Sequence, residues 1–379
     1  NKKTLMIIPN KKTKIALIGY RLGIGGAERV MANLSVFFEK QGIDVHNIIV
    51  VDEVYYDFSG KLINLGKLKN KSNGFFNKLN RFLFLKNYLR ENNFDFIIDF
   101  RFRNKPIQEL LISKFLYNSK SIFTVHSYLT DHYMSNWSFL TRFTYNDSYK
   151  IVAVTNKTKE FIEQKHHLSN VQTIYNPINI EEIHSKYDEA IDIDFEYIIG
   201  VGQMDTDVKQ FDKLIIAYSN SNLPKQNIHL VLLGEGSKMM DYLQLAKQMN
   251  ISDKIHFLGF QINPYSYLKN AKFFVLSSLN EGMPNVILES LACGTPVVSY
   301  DCLSGPSEII LHKWNGLLVE DQNLDKLSEA INLLNDDKEL YTICKQNSIP
   351  SSQHFSIDII GQQLPTHYLW RAQLPEQQL

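Results

Sequence analysis

The stretch EGMPNVILE, residues 281–289, sets two carboxylates eight positions apart around a Gly, a Pro and an apolar run. Pro284 suits the first turn of a helix, where its missing N–H costs nothing. Glu281 then stands where it can cap that helix. A chemical reading sits beside this structural one. A helix N-terminus offers free N–H groups and partial positive charge, so it holds an anion. Acids on either side can grip hydroxyls carried by the same molecule. The N–H groups of about Asn285 to Ile287 would face the anion. The terminus is worth roughly 0.3–1 kcal/mol per charge, and ~2 when partly buried. That is too little to hold a diphosphate, so a cation should converge on the same place.

Working outward, FFVLSS (273–278) and TPVVSYD (295–301) read as buried strands flanking that helix. EYIIGVG (196–202), IHLVLLGEG (228–236), KIHFLGF (254–260) and NGLLVE (315–320) read as strands, with helical patterns between them and over 324–335. A second series precedes YNPINIEEI (175–183). KIALIGY (14–20), VHNIIVV (45–51), FDFIIDF (94–100), KSIFTVH (120–126) and YKIVAVT (149–155) are its strands. A helix with apolar residues at Val30, Leu34, Phe37 and Phe38 follows the first of them, and TNKTKEFIEQKH reads as a capped helix. Alternating strands and helices predict α/β units with parallel sheets. The chain therefore divides into an N-terminal unit over 1–177 and a C-terminal unit over 178–354, with a hinge near Asn176–Ile180. A last segment, 355–371, reads as a helix broken by Gly361 and Pro365 and is expected to return to the N-terminal unit.

Bulk properties agree with two folded units. The chain has 379 residues, 44% of them hydrophobic and 12% aromatic, enough for two cores. No run of about 18 apolar residues predicts a membrane-spanning helix. The opening NKKTLMIIPNKKTKIALIG lacks the apolar core of a signal peptide. The three cysteines, Cys293, Cys302 and Cys344, are odd in number and lack metal-type spacing, which predicts a reducing, cytoplasmic setting. Net charge is zero but unevenly spread. Residues 1–180 hold 26 Lys and Arg against 14 Asp and Glu, a net of +12, and residues 181–379 carry the opposite −12. The basic half favours phosphates, nucleic acid or an anionic membrane surface. Nucleic acid is set aside, because no helix-turn-helix, zinc or RNA-binding signature appears.

Four further stretches carry possible chemistry, and each has a plain structural alternative. GIGGAER (23–29) places Gly25 and Gly26 between a strand and a helix, as a phosphate-facing loop or a tight turn. It is neither a dinucleotide fingerprint nor a P-loop. TVHSY places His126 just past a strand end, as a donor, a base or a satisfied loop residue. VGQMDTDVKQFDKLI (201–215) brings Lys209 near a helix start, as a phosphate partner or a solvated lysine. LLGEG (232–236) turns tightly at Gly234.

Taken together, these stretches resemble the retaining, nucleotide-sugar-dependent glycosyltransferases of family four. Their GT-B fold sets two Rossmann-like domains face to face across a cleft. EGMPNVILE is similar to that family's E-x7-E motif. VGQMDTDVKQFDKLI resembles its basic loop, FLGF its base-contacting strand end, and GIGGAER its first Gly-rich loop. GTPVVSYDCLSGPSEII and NGLLVE match the downstream pattern.

The resemblance implies roles for these positions. His126, Glu281 and Lys209 would act at the reacting centre. His126 would lie beside the transferred sugar, Glu281 would hold its hydroxyls and Lys209 would neutralise the diphosphate. Gly25, Gly26, Gln203, Gly234, Phe260, Met283, Pro284, Asn285 and Val286 would line the donor site, and Glu289 would bind the ribose. The family commonly has Arg where this chain has Gln203, so the charge would rest on Lys209 and helix dipoles, with Arg21 and Arg29 the nearby cations able to compensate. The resemblance implies front-face attack with retention, the departing phosphate taking the acceptor's proton. By family frequency it implies a UDP-linked hexose or N-acetylhexosamine donor, and further a glycan or lipid-linked saccharide acceptor, no cofactor and no obligate metal. DTD (205–207) lies in the basic loop and has no metal role on this reading. A sugar-nucleotide epimerase of the same fold and an inactive partner subunit are the competing readings.

The segment over 61–92 adds a membrane expectation. Lys67, Lys69, Lys71, Lys78, Arg81, Lys86 and Arg90 are interleaved with Phe75, Phe76, Phe82 and Phe84. Such a helix can lie on an anionic membrane, which would put the protein at the inner face. Alternatively Leu79, Phe82, Leu83, Lys86 and Leu89 are spaced for ordinary core packing.

Overall fold

The computed structural model describes residues 12–70, 74–117 and 120–364. The opening segment, Lys71, Pro365 and the tail lie outside the described residues. Two parallel sheets form the framework. The first contains β1 (Lys14–Gly19), β2 (Asp44–Ile49), β3 (Lys61–Asn64), β4 (Phe96–Asp99), β5 (Ser121–Val125), β6 (Lys150–Ala153) and β7 (Val171–Thr173), in the order 3-2-1-4-5-6-7. The second contains β8 (Tyr197–Val201), β9 (His229–Leu233), β10 (Ile255–Phe257), β11 (Phe274–Leu276), β12 (Val297–Tyr300) and β13 (Gly316–Val319), in the order 10-9-8-11-12-13.

The strands are continuous apolar runs because both faces of each sheet are covered. Along β1, Ile15 and Leu17 enter one core cluster and Ala16 and Ile18 enter the cluster on the opposite face. Ile198 and Ile199 of β8 divide in the same way. Each sheet reverses its strand order beside its first strand, β1 against β4 and β8 against β11. Ligands of such sheets gather at the carboxyl ends of the strands near that reversal.

Several elements lie beyond what the sequence pattern predicts, among them two short strands and a long helix. β3 has four residues and β7 three, too short for an apolar run. The helix Lys338–Ser352 is largely polar and contains Pro350. It forms because Asp337 caps it, accepting from Leu340 N at 2.9 Å, and because it packs along the helix Asn285–Ala292. Helix α1 (Gly26–Lys40) buries Val30, Leu34, Phe37 and Phe38 as its spacing predicts. Helix α2 (Phe75–Asn92) follows the core-packing alternative only in part: Leu89 joins the core and Phe82 packs against it, together with Leu85 and Tyr88. Of its residues only Leu89 is buried, while Leu79 and Leu83 are 39% and 45% exposed.

The domains are tied together at several points. Glu308 of the second domain accepts from Asn156 N at 2.9 Å and Lys157 N at 3.1 Å, at the start of the helix Asn156–His166. An acid at that terminus satisfies N–H groups the helix leaves open. The last described residues run back to the first domain. Ile357 N donates to Ile178 O at 2.8 Å, and Ile357, Ile360 and Leu364 join the core beneath α1. Among its described residues, this segment is a short helix, Ile357–Ile360, that ends before Gly361, followed by a 3-10 turn, Gly361–Gln363. A Cβ at Gly361 would lie 2.6–2.9 Å from the Phe37 ring. Gly361→Leu is expected to lower unfolding free energy by about 1–3 kcal/mol through overpacking against Phe37, read by urea denaturation.

Candidate active site

The helix Asn285–Ala292 begins without a side-chain cap, and Pro284 is its N-cap residue in extended conformation. This differs from the sequence reading by one position, since Pro284 precedes the first turn. Glu281 does not cap the helix either. Its Oε1 accepts from Lys209 Nζ at 2.6 Å. No side chain caps the helix beside this ion pair, and of the N–H groups expected to face an anion that of Ile287 is already taken, donating to Pro284 O at 3.0 Å. Ile287, Leu288 and Leu291 anchor the helix in the core at 0% exposure.

Lys209 ends a 3-10 turn after β8, and Gln210 follows in the left-handed region. Ser277 Oγ, just past β11, donates to Lys209 O at 2.8 Å and to Gln210 O at 3.0 Å, which fixes this loop to the sheet. The Lys209 methylenes lie over Gly202. Gly234, at φ +131, closes on the same residue, and a Cβ there would stand 1.8 Å from Gly202 O. Only glycine fits both that conformation and that approach. Gly234 N also donates to Gly259 O at 2.8 Å, and Phe260 N to Glu235 Oε1 at 3.2 Å. Gly234, Gly202, Lys209 and Glu281 therefore form one continuous surface, with Phe260 at its outer end. Gln203 is exposed on the loop after β8.

From the first domain, Gly25 is the N-cap of α1, and Gly26 O accepts from Asn285 Nδ2 at 3.1 Å. Asn285 Oδ1 accepts from Asn176 Nδ2 at 2.8 Å, and the same amide reaches Met283 O at 3.2 Å. The hinge residue Asn176 thus bonds directly to the loop that starts the helix. Met283 is buried and Val286 half-buried in the same core.

His126 follows β5. A Cβ at Gly282 would lie 2.1 Å from its carbonyl oxygen, so glycine at 282 lets the two backbones touch. Tyr128 N donates to Glu281 O at 3.4 Å beside this contact. The His126 Nε2 lies 3.0 Å from Thr124 Oγ1, and its Nδ1 is buried without a partner. Burial pulls its pKa down to about 3, and the charge of Arg103 pulls the same way. The ring is neutral at pH 7.

Arg103 was not legible as a site residue. Its fully buried guanidinium donates to Asp99 O at 3.2 Å, Arg101 O at 3.0 Å and Thr124 O at 2.7 Å. Arg101 pairs with Asp99 and Glu109. Burial works against the Asp99 carboxylate, but the two guanidiniums outweigh it and hold its pKa low. This network fixes the ends of β4 and β5 under His126. The alternation FRFR (100–103) at a strand end was the available signal.

The two compensating cations are already paired. Arg21 bonds to Glu53. Arg29 stacks on the Tyr56 ring at 3.9 Å and lies 3.9 Å from Glu182. Arg29 also faces Glu289, whose pKa is raised by burial against the opposing pull of Arg29, with Glu182 adding to the rise. Among the described residues, no group of three or more His, Cys, Asp or Glu is placed to hold a metal ion.

Residues 24–182 match the model for Glycosyltransferase Family 4, and residues 179–349 match that for Glycosyl transferases group 1. A Campylobacter jejuni protein is 31% identical over 338 residues, 86% of this chain and 91% of its own length. It is the N-acetylgalactosamine-N,N'-diacetylbacillosaminyl-diphospho-undecaprenol 4-alpha-N-acetylgalactosaminyltransferase. The Erwinia amylovora amylovoran biosynthesis glycosyltransferase AmsD is 23% identical, covering 89% of this chain and 93% of its own. Among solved structures, Anabaena HepE with UDP and glucose superposes with a TM-score of 0.77 at 18% identity, over 94% of this chain and 100% of that one. The chain belongs to the group 1 glycosyltransferases and has their two-domain GT-B fold.

The neutral His126 predicts a pH effect. Unfolded, a histidine takes its proton near pH 6.5, whereas the folded ring takes it only near pH 3. Stability is therefore lost as pH falls from 6.5 toward 3. His126→Gln is expected to remove up to about 2 kcal/mol of the loss between pH 7 and pH 5, read by denaturant melts at both values. An unchanged pH dependence in the variant would show that the folded ring titrates normally.

Proposed function

We propose that the chain transfers a hexose or N-acetylhexosamine, with retention, from a UDP-linked donor to a lipid-linked saccharide during cell-surface glycan synthesis. The observation that carries this reading is the Lys209–Glu281 pair beside the uncapped start of the helix Asn285–Ala292, with Glu289 a turn further in. The N–H groups and Lys209 would take the diphosphate, Glu281 the sugar hydroxyls and Glu289 the ribose. The activity of the Campylobacter relative supports the acceptor class, and the ligands of the Anabaena structure support UDP.

On this reading the first domain binds the acceptor and the second binds the donor, with the segment from 355 completing the first. His126 stands beside the transferred sugar as a neutral hydrogen-bonding group. Bond breaking leaves negative charge on the diphosphate, which Lys209 and the helix terminus stabilise. The same phosphate oxygen takes the acceptor's proton as its hydroxyl attacks from the front face. Positioning supplies much of the rate. Gln203 adds no charge, so Lys209 carries the cationic part of the site. No cofactor or obligate metal enters this proposal.

The exposed face of α2 supports contact with an anionic membrane at the cytoplasmic side. Phe75 and Phe76 are 73% and 77% exposed, and Lys78, Arg81, Lys86 and Arg90 share the helix with them. Each basic side chain near an anionic surface is worth roughly 1 kcal/mol. No helix among the described residues is long and apolar enough to cross a membrane.

The first test is a thermal shift against UDP, GDP and ADP and their sugar conjugates. A selective rise with one nucleotide, lost in Glu289→Ala, is expected, since ~100-fold saturation stabilises by roughly 2.7 kcal/mol. No shift at millimolar nucleotide would sink the donor site and favour an inactive subunit. Lys209→Ala should lower kcat by roughly 10²–10³ and weaken the nucleotide shift. An epimerised sugar released without acceptor would instead identify an epimerase, and an inverted product anomer would overturn retention. For the membrane contact, co-sedimentation with vesicles rich in anionic lipid should fail in Lys78→Glu/Arg81→Glu. Wild-type protein left wholly in the low-salt supernatant would remove that part of the proposal.

A further inference from the structure

Behind the loop that carries Glu281 and Met283, a row of hydroxyls crosses from one domain to the other. Thr155 and Thr158 stand at the start of the helix Asn156–His166, just past β6, and Ser304 lies in the loop after β12. All three residues are fully buried. Ser304 Oγ donates to Gly282 O at 3.1 Å and lies 2.8 Å from Thr155 Oγ1, which lies 2.7 Å from Thr158 Oγ1. A carbonyl oxygen can only accept, so the Ser304 proton goes to Gly282 and the Ser304 oxygen is left to accept from Thr155. Bonds linked in this way polarise one another. The loop that holds Ser304 is clasped by the first domain. Glu308 accepts from the N–H groups of Asn156 and Lys157, and the Tyr175 hydroxyl donates to its Oε2 at 3.0 Å. Lys157 Nζ donates to Ser307 Oγ at 3.1 Å. On the other side, a Cβ at Gly305, whose φ is +98, would lie 2.6 Å from both Gly282 O and Pro284 Cδ. Residues 304–308 are thus a wedge between the start of a first-domain helix and the backbone over 282–284.

Gly282 is a sensitive place to press. The His126 carbonyl packs against its Cα, where a Cβ would stand 2.1 Å away, and Ser304 holds its oxygen. One residue earlier, Glu281 pairs with Lys209, and one residue later, Met283 O accepts from Asn176 Nδ2. His126 follows β5 and Thr155 follows β6, and these strands pair directly. Two neighbouring strands of the first sheet therefore bear on one peptide of the second domain. A displacement of about 1 Å at reacting groups can cost a hundredfold in rate, even when its origin is distant. A plainer role for the row would be to satisfy the buried Gly282 carbonyl. One hydroxyl is enough for that, whereas this row has three and begins in the other domain.

We propose that Ser304 and Thr155 are positioning residues for glycosyl transfer: their hydroxyls carry the placement of the first domain to Gly282, and so fix Glu281 against Lys209 and His126. The proposal rests on the transferase reading, and its test separates the two. Thr155→Val keeps the shape of the side chain and removes the hydroxyl, whereas Thr155→Ser keeps the hydroxyl and removes a methyl. Ser304→Ala breaks the row beside Gly282. Turnover is read as UDP released to water from UDP-glucose, UDP-N-acetylglucosamine or UDP-N-acetylgalactosamine. Thr155→Val and Ser304→Ala should each lower kcat roughly tenfold or more, with KM for the donor changed less than about threefold. The UDP thermal shift should remain in both, which also shows that they fold. Thr155→Ser should keep kcat within about twofold of the wild type. Lower melting temperatures with kcat unchanged would reduce the row to a structural role and overturn the proposal. A loss in Thr155→Ser as large as that in Thr155→Val would do the same. A second measurement needs no nucleotide. Amide hydrogen exchange over 281–287 should be faster in Thr155→Val than in the wild type, and unchanged exchange there would overturn the coupling. Faster exchange together with no UDP release by the wild type would instead defeat the UDP-donor reading and leave the coupling standing.

Discussion

The uncapped start of the helix Asn285–Ala292 is the constraint around which the cleft is arranged. A missing cap costs a helix about 1 kcal/mol. Burying the Ile287, Leu288 and Leu291 side chains stabilises it by roughly 1.5–3 kcal/mol each, so packing holds the helix without local help. Its start takes no side-chain cap because nearby side chains are engaged elsewhere, although Ile287 N donates to Pro284 O at 3.0 Å. Glu281 turns to Lys209, and Asn285 spans from Asn176 to Gly26. Gly282 brings the His126 carbonyl against the same loop. The two sheets thus meet where a helix has been left electrostatically unfinished.

The fold was legible because its long strands are apolar on both faces. KIALIG and YIIGV need cover on two sides, and that requirement alone leads to layered parallel sheets. β3 and β7 were silent because three or four residues at a sheet edge leave no period to detect. The helix Lys338–Ser352 was silent for another reason. Its stability comes from a neighbour distant in sequence, and its own pattern is weakly amphipathic.

The site was legible as a set of residue types more than as a set of bonds. EGMPNVILE announced two acids and a helix start, yet Glu281 is a capping candidate by spacing and an ion-pair partner of Lys209 in space. That pairing joins residues 72 positions apart. Arg29 looked like a free cation, but Tyr56, Glu182 and Glu289 surround it. Arg103 escaped notice because its partners are backbone carbonyls, which carry no residue signature. A buried network of that kind is readable only once the strands that bear it are set side by side.

The return of Ile357, Ile360 and Leu364 to the core beneath α1 has a consequence for how the chain is made. The strands of the first sheet are complete by Thr173, yet part of the hydrophobic cover for α1 is encoded almost two hundred residues later. At translation rates of about 5–20 residues per second, that patch waits roughly ten to forty seconds for its cover. Throughout that interval the nascent first domain presents Phe37 and its neighbours to the ribosome surface and to any chaperone present. The second domain must emerge before the first is sealed, so the two mature together despite being built in sequence.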